Sequence, residues 1–550
     1  MNEFPRITAS IGLGSLLVLA LSGFAAAAEP RGLPSSAQGR KPIEVTSATD
    51  AEPTPPAASD EPPPESEAIL QAPPETPPAP PPPPPKKPTP PVFPGPKTLP
   101  GTGPWKVLYF DNDFSYKNDP QHERLFGEEL KDLKSEVFGV PLKFSTGGEV
   151  RYRFMNEDNR LRPGGPAQSE YNLWRWRHYV DMQYGDFRVY GEGIEAESFG
   201  SNSPDQAIDV NQWDIQNLFA DYTFLRSDLG THTLRYGRQE LLFGRQRLIS
   251  PLDWGNTRRN FEGLRYMLKG EDFKLDLFST HPVNSATGFQ PVQFYGNHFD
   301  KPRDEVWFSG AYLTYTGYQN TVIDAYWLWL DTGDRPDVLR PDGQRHLFGS
   351  RYARLFPSDD GSRVWDLDTE GGLQTGRDNG RDVLAGFYTY VVGHTWKNAT
   401  FTPRLSHLFY YGSGQSGSSR TNNTFNTYFP LGHAYWALSD NLAGQNLLDY
   451  SIQGDIKPTK KSTFTTAYHW LDLASSNDRA YNVAGVPTGR PGNGRDLGTA
   501  LDLYGSYAFN PNFDVQAGYS WFWYGNFIES QPELKRGDAT QFYLQASLRY

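Results

Sequence analysis

From residue 148 to residue 550 the chain repeats one pattern, segments in which apolar and polar side chains alternate one by one, joined by connections that are in turn short and long. Alternation with a period of two puts the two sets on opposite faces of a β-strand. The final stretch shows it clearly: Phe542, Leu544, Ala546, Leu548 and Tyr550 alternate with Gln541, Tyr543, Gln545, Ser547 and Arg549. A last strand that stops on an aromatic residue has an unpaired backbone edge unless it closes onto the first strand, so we read 540–550 as the closing strand of a β-barrel. Lipid outside and water inside would give each strand its two faces. Composition agrees, since only 37% of the residues are hydrophobic and the mean hydropathy is −0.63. A bundle of transmembrane helices would be far more apolar, whereas barrel strands average to moderate polarity.

The amino-terminal hundred residues are of another kind. An apolar run at 11–20 follows Arg6 and precedes Ala26-Ala27-Ala28. It is too short to span a bilayer and reads as a secretory signal, 1–28. Residues 29–104 are dominated by Pro, Ala, Glu, Ser and Thr, with six prolines at 80–85 followed by Lys86 and Lys87. They cannot build a core, and we expect a disordered linker or a stiff polyproline arm reaching into the periplasm. A short periplasmic prelude, 105–141, should hold a helix near 123–138 with Leu130 and Leu133 on one face, lying in or beside the barrel mouth. The transmembrane barrel proper is 142–550. With no cysteine, disulfides and a lipidated amino-terminal cysteine are both excluded.

Strands are expected near 148–154, 174–184, 187–191, 211–224, 231–240, 261–269, 273–280, 305–316, 321–331, 345–355, 363–373, 382–395, 399–411, 446–456, 462–473, 497–509, 513–525 and 540–550. That is an all-β, antiparallel up-and-down barrel of about eighteen strands. Gly185-Asp186 is a tight hairpin signal. Long connections at 241–260, 281–304, 412–445 and 474–496 alternate with short ones, as external loops alternate with periplasmic turns. A soluble β-propeller also has many short strands, but no blade-length repeat is present. Trp307, Trp329, Trp470 and Trp523 fall near strand ends, where interfacial girdles form.

Phase places Arg151, Arg153, Arg175, Arg177, Arg235 and Arg265 opposite the lipid-facing side chains, hence in the lumen, with Glu149 and Asp181 on the same faces. Guanidinium forks hold carboxylates, and a series of weak sites lets an anion pass rather than stay. The bland reading is a set of structural salt bridges across the wall. Arg238 shares the phase of Leu234 and Tyr236 and would need a bulge at Gly237 to turn inward.

The densest motif is Leu234-Arg235-Tyr236-Gly237-Arg238-Gln239-Glu240-Leu241, then Gly244-Arg245-Gln246-Arg247, then Trp254-Gly255-Asn256-Thr257-Arg258-Arg259-Asn260-Phe261-Glu262-Gly263-Leu264-Arg265. With Phe110-Asp111-Asn112-Asp113-Phe114-Ser115-Tyr116, Gly147-Gly148-Glu149-Val150-Arg151 and Gly498-Thr499-Ala500-Leu501-Asp502-Leu503, it resembles the bacterial alginate export family of outer-membrane porins. The resemblance covers most of 105–550 and none of the Pro-rich arm. It implies a monomeric eighteen-stranded barrel whose basic pore, including Arg258 and Arg259, lets an anionic, alginate-like polysaccharide leave the cell. Glu262 stands where the family more often has Asp, and Ala500 where it more often has an acid, which leaves the substrate open. Lipid of the outer membrane, the barrel-assembly machinery and a periplasmic secretion partner would be the other contacts.

Net charge of −12 speaks against nucleic acid. The ten histidines show no metal-ligand spacing, and neither a metal nor a cofactor is expected. Gly412-Ser413-Gly414-Gln415-Ser416-Gly417 matches a dinucleotide fingerprint only in letters, because it sits in a polar loop. Ser406-His407 are strand neighbours that face opposite ways, and His469 with Ser462 is the other hydrolase candidate. Asp366, Asp368 and Glu370, at period two, read as an acidic rail of the lumen rather than as glycosidase carboxylates. Passive polysaccharide export is therefore the leading function, a substrate-specific uptake porin for small anions the alternative, and an outer-membrane hydrolase the third.

Overall fold

The computed structural model describes residues 103–550 apart from 162–166, 203–207, 284–298, 334–341, 418–419 and 535. The signal and all but the last two residues of the Pro-rich arm therefore lie outside the described residues. In chain order the strands are β1 (Leu133–Val137), β2 (Val140–Asp158), β3 (Gln168–Tyr184), β4 (Phe187–Phe199), β5 (Asn211–Ser227), β6 (Gly230–Gln239), β7 (Phe261–Lys269) and β8 (Phe273–Pro282). There follow β9 (Val306–Tyr315), β10 (Thr321–Thr332), β11 (Gly343–Pro357), β12 (Arg363–Asp378), β13 (Arg381–Trp396), β14 (Arg404–Gly412), β15 (Thr421–Asn422), β16 (Leu447–Thr459) and β17 (Ser462–Leu473). The last are β18 (Ala480–Tyr481), β19 (Pro487–Thr488), β20 (Asp496–Ala508), β21 (Phe513–Tyr524) and β22 (Ala539–Arg549). Leaving aside the hairpin strand β1 and the two-residue pieces β15, β18 and β19, eighteen strands form one antiparallel ring. It closes where β22 pairs with β2, from Glu149 opposite Arg549 to Asp158 opposite Thr540.

Period-two alternation produces the two faces as expected. On β22, Leu544 and Leu548 are exposed while Gln541, Tyr543, Gln545, Ser547 and Arg549 are buried. Trp307, Trp470 and Trp523 are exposed on the outer surface near the ends of their strands. Closure satisfies the backbone of every strand inside lipid, so the ring can span an outer membrane.

The connections differ at the two ends. At one end they are turns such as Gly185-Asp186 and 460–461. At the other they are loops, with one exception: Asn379 and Gly380, at φ 50° and 71°, fold β12 straight back into β13. Both residues adopt the left-handed conformation that a tight hairpin needs, and an Asn-Gly pair tolerates it best. Short turns face the periplasm in such barrels and long loops face outward.

Two expectations need correction. Instead of a helix at 123–138 there is one 3-10 turn, Glu128–Leu130, followed by β1, which pairs with β2 through a turn at Phe138-Gly139. Gly127 and Asp132 both adopt positive φ, which interrupts a helix on either side of Leu130. The strand expected from 399 begins only at Arg404, because Phe401 and Thr402 turn at positive φ before Pro403. Gly147 and Gly148 are the glycines whose size matters most at the seam. A Cβ on Gly147 would lie 1.9 Å from the Lys131 ammonium and 2.2 Å from the Tyr550 carbonyl, and one on Gly148 would lie 2.0 Å from the Arg177 carbonyl.

Candidate functional site

The inward face of β2 and β3 carries Glu149, Arg151, Arg153, Arg175 and Arg177, all buried, while their neighbour Tyr152 and the more distant Val180 look outward. Register sets Arg151 directly opposite Arg175 and Glu149 opposite Arg177. Two cations side by side repel, and the residues that offset them come from residues 240–260, which fold back into the lumen. Arg151 donates to the carbonyls of Asp253 at 2.7 Å and Gly255 at 2.6 Å. Arg153 donates to the Trp254 carbonyl at 2.8 Å and lies flat over the Trp254 ring, 3.7 Å from its centroid. Arg175 reaches the Gly255 carbonyl, the Asp253 carboxylate at 3.2 Å and Glu149 at 2.6 Å.

Arg258 completes this knot, bridging Glu240 and Asp253 and donating to the Val107 carbonyl at 3.0 Å. Burial would raise the Asp253 carboxyl, but Arg258, Arg175 and Arg151 together hold it well below the usual carboxylate range. The Asn256 amide donates to three carbonyls, those of Trp174, Glu197 and Asp209, so the loop is tied to the backbone of the wall as well as to its charges. Arg259 donates to the carbonyls of Ser250 and Pro430. Burial lowers its guanidinium to about 10.

Residues 420–446 also fold inward and pack on the first loop. Phe429 and Leu431 donate backbone bonds to Leu248 and Gln246. Leu241, Phe243, Leu248 and Ile249 join Phe425, Leu431 and Trp436 in one apolar cluster that continues into Phe261, Phe308 and Leu328 of the wall. Trp254 stacks on His433 at 3.5 Å and 5°, and both donate to Asp440. The prelude fills the turn end. Tyr109 and Phe110 pack on the inward-facing Tyr179, Tyr190 and Phe219, and the Tyr109 hydroxyl donates to Glu149 at 2.8 Å.

The other expected residues are placed as follows. Arg177 pairs with Glu192 at 2.6 Å and lies over the Tyr109 ring. Arg235 and Arg265 stand opposite each other, each with its own acid, Asp221 and Asp276. Asp181 is only half-buried and takes two bonds from Arg188, which also donates to the Phe110 carbonyl. At Arg238 the β6–β7 ladder is unshifted, with Gly237 at φ 129° and no bulge, yet the residue is buried where Tyr236 is exposed. It is buried by Glu262 and by the carbonyls of Ile215 and Asp300.

The far wall carries groups that sequence reasoning had not joined into the site. Arg351 lies between Asp324 and Asp368, and Arg404 between Asp366 and Asp455. Arg247 of the inward loop reaches Asp368 at 3.1 Å and Glu370 at 2.7 Å. The acidic rail of Asp366, Asp368 and Glu370 thus lies in the lumen, fully paired. Period-two phase marks Arg351 and Arg404 as inward, and that signal was present in the sequence. Ser406 is buried and His407 half-buried on the opposite face of β14, while His469 is held by Asp449 and Asp502. Among the described residues no cluster has the makeup of a metal site.

The alginate export family model matches residues 142–542. Among solved structures the chain is similar to OccK5 (OpdH) of Pseudomonas aeruginosa, at 13% identity over 74% of this chain and 98% of that one, with a TM-score of 0.48. It is also similar to OccAB2 of Acinetobacter baumannii, at 11% identity over 74% and 98%, with a TM-score of 0.49. No curated protein matches the chain closely enough to count as a relative. Its family model spans nearly the whole ring, and the chain belongs to the alginate export family of outer-membrane barrels.

Proposed function

We propose that this barrel is a passive outer-membrane channel for an anionic, uronate-type polysaccharide, and that residues 240–260 are its gate. One observation carries the reading: Arg151, Arg153 and Arg175 converge on neutral oxygens of three successive loop residues, Asp253, Trp254 and Gly255. Those carbonyls stand where polymer carboxylates and hydroxyls would bind. A charged ligand oxygen makes a stronger bond to a guanidinium than a carbonyl does, so a passing chain can displace the loop. Acids on the same wall keep each site weak enough to release what it binds.

Planar-bilayer recording tests this. Wild type should prefer anions, and uronate oligomers should block the current, less strongly as salt rises because screening shortens the reach of the charges. Replacing Arg151, Arg153, Arg175 and Arg177 together with Ser should lower anion preference and weaken block, read in protein whose heat-modifiability shows a folded barrel. A cation-selective wild type, indifferent to uronate oligomers, would end this reading and leave the barrel standing.

A further inference from the structure

At the loop end of the barrel, where β11, β12 and β13 meet the loops after β14 and β17, lies a cavity of about 380 Å³. Its size falls in the range of roughly 300–1,000 Å³ typical of small-molecule sites. The walls are polar and hold three arginines, Arg345, Arg381 and Arg479, with Asp378 and Asp478 and several amides.

The two acids are occupied by the protein itself. Asp378 accepts from Arg345 at 2.5 Å and from Asn422 at 3.1 Å. Asp478 fastens one loop to the other, accepting from the Gln415 backbone, the Thr424 hydroxyl and the Tyr481 hydroxyl. Arg381 and Arg479 are different. Among the described residues neither guanidinium forms an ion pair, Arg381 being half-buried and Arg479 exposed. The lumen arginines described above all have carboxylate or carbonyl partners. These two keep their donors for something else, beside amides suited to hydroxyl groups.

We propose that this cavity is an exit subsite, in which Arg381 and Arg479 hold the carboxylates of one or two uronate residues as the polymer emerges. The inference rests on the export reading and adds to it a second binding point at the loop end of the barrel. A guanidinium fork takes a carboxylate on two parallel bonds, and Asp478 acts as a positioning residue by fixing the loop that carries Arg479. Net charge of the five groups is only +1, from three arginines less two acids. The site therefore binds weakly, as a polymer in transit requires.

The experiment uses the full chain in planar bilayers, with a hexameric oligouronate added to one side at a time and its carboxyl-reduced neutral counterpart as control. In Arg381→Ala/Arg479→Ala, block from the loop side should weaken by about tenfold, the loss of one good charge-assisted pair. Block from the turn side, anion preference and heat-modifiability should stay as in wild type. Arg381→Lys/Arg479→Lys, which keeps charge but loses the fork, should fall between the two. Unchanged loop-side block in the alanine variant, or equal block by the neutral hexamer, would overturn the subsite while turn-side block upheld the export reading. Absence of wild-type block from either side would overturn both.

Discussion

Two regions of the lumen use the same residue types for opposite ends. Around Arg351 and Arg404 the partners are carboxylates on neighbouring strands, so charge is cancelled within the wall. Around Arg151, Arg153 and Arg175 carbonyls of one inward-folded loop take a share of the bonds, beside Glu149 and Gln545 of the wall and the Asp253 carboxylate. A buried carboxylate partner cannot leave without stranding a charge, whereas a loop carbonyl can be exchanged for water or for a ligand oxygen. The first region holds the barrel together; the second holds something removable. What decides between the two is the element that carries the partner, strand or loop.

The largest effect should come from removing that loop. Replacing residues 242–257 with a short Gly-Ser linker, and so freeing Arg151, Arg153 and Arg175, should raise single-channel conductance several-fold. Heat-modifiability should persist, because the ring closes through strand pairing that the loop does not share. Unchanged conductance in a folded variant would show that the loop does not limit passage and would remove the contrast just drawn.

Next in size is an attack on the carboxylates of the wall, of which Asp368 also takes two arginines of the inward loop. Asp368 accepts from Arg351 and Arg247 and lies 3.4 Å from Arg245. Asp368→Asn strips the charge that all three share, and breaking a buried pair of this kind costs about 3–5 kcal/mol. The heat-modifiable band should convert at a clearly lower temperature. Asp253→Asn, on the loop, should lower that temperature less than Asp368→Asn and alter conductance as well. Equal destabilisation by both would mean that the loop is as much a part of the frame as the strands.

Much of this was legible in the sequence, and the part that was not has a physical cause. Alternation fixes which way a strand side chain points, so the ring, its closure at 540–550 and the inward facing of Arg151, Arg175 and Arg265 could all be read directly. Asp366, Asp368 and Glu370 were legible for the same reason. Loops carry no such period. Nothing in the order Asp253-Trp254-Gly255 says that three successive carbonyls will meet three arginines about a hundred residues away, because the backbone oxygen is common to every residue. Leu130 and Leu133 misled because their spacing fits a helix, while Gly127 and the Phe138-Gly139 turn carried the better signal. Arg238 is buried against its phase, in part by Asp300 in a loop whose course the sequence does not specify.

The smallest effect concerns the prelude, the third insert, and it sharpens the comparison by adding a case with a buried cation at the seam. Lys131 is buried at the seam, donating to the carbonyls of Thr146 and Tyr550 with the rings of Trp105, Phe114 and Tyr179 between 5.2 and 5.7 Å away. Burial lowers its ammonium to about 8, against the nearby Glu129, which favours the charged form, and with Lys117, which does not. A free lysine keeps its proton up to about 10.4. Between roughly pH 8 and 10 the undocked segment therefore binds more protons than the docked one, and docking strengthens as pH rises through that window. Below pH 8 both forms are charged, the burial cost is constant, and the dependence vanishes. Protease protection or hydrogen exchange of residues 103–132 should accordingly increase from pH 7.5 to 9.5, after correction for the intrinsic rate. Lys131→Met, which keeps the length and removes the charge, should flatten the profile. A wild-type profile that is already flat, or that falls with pH, would show that the ammonium is stabilised at the seam, and the prelude would then belong with the strand-borne network.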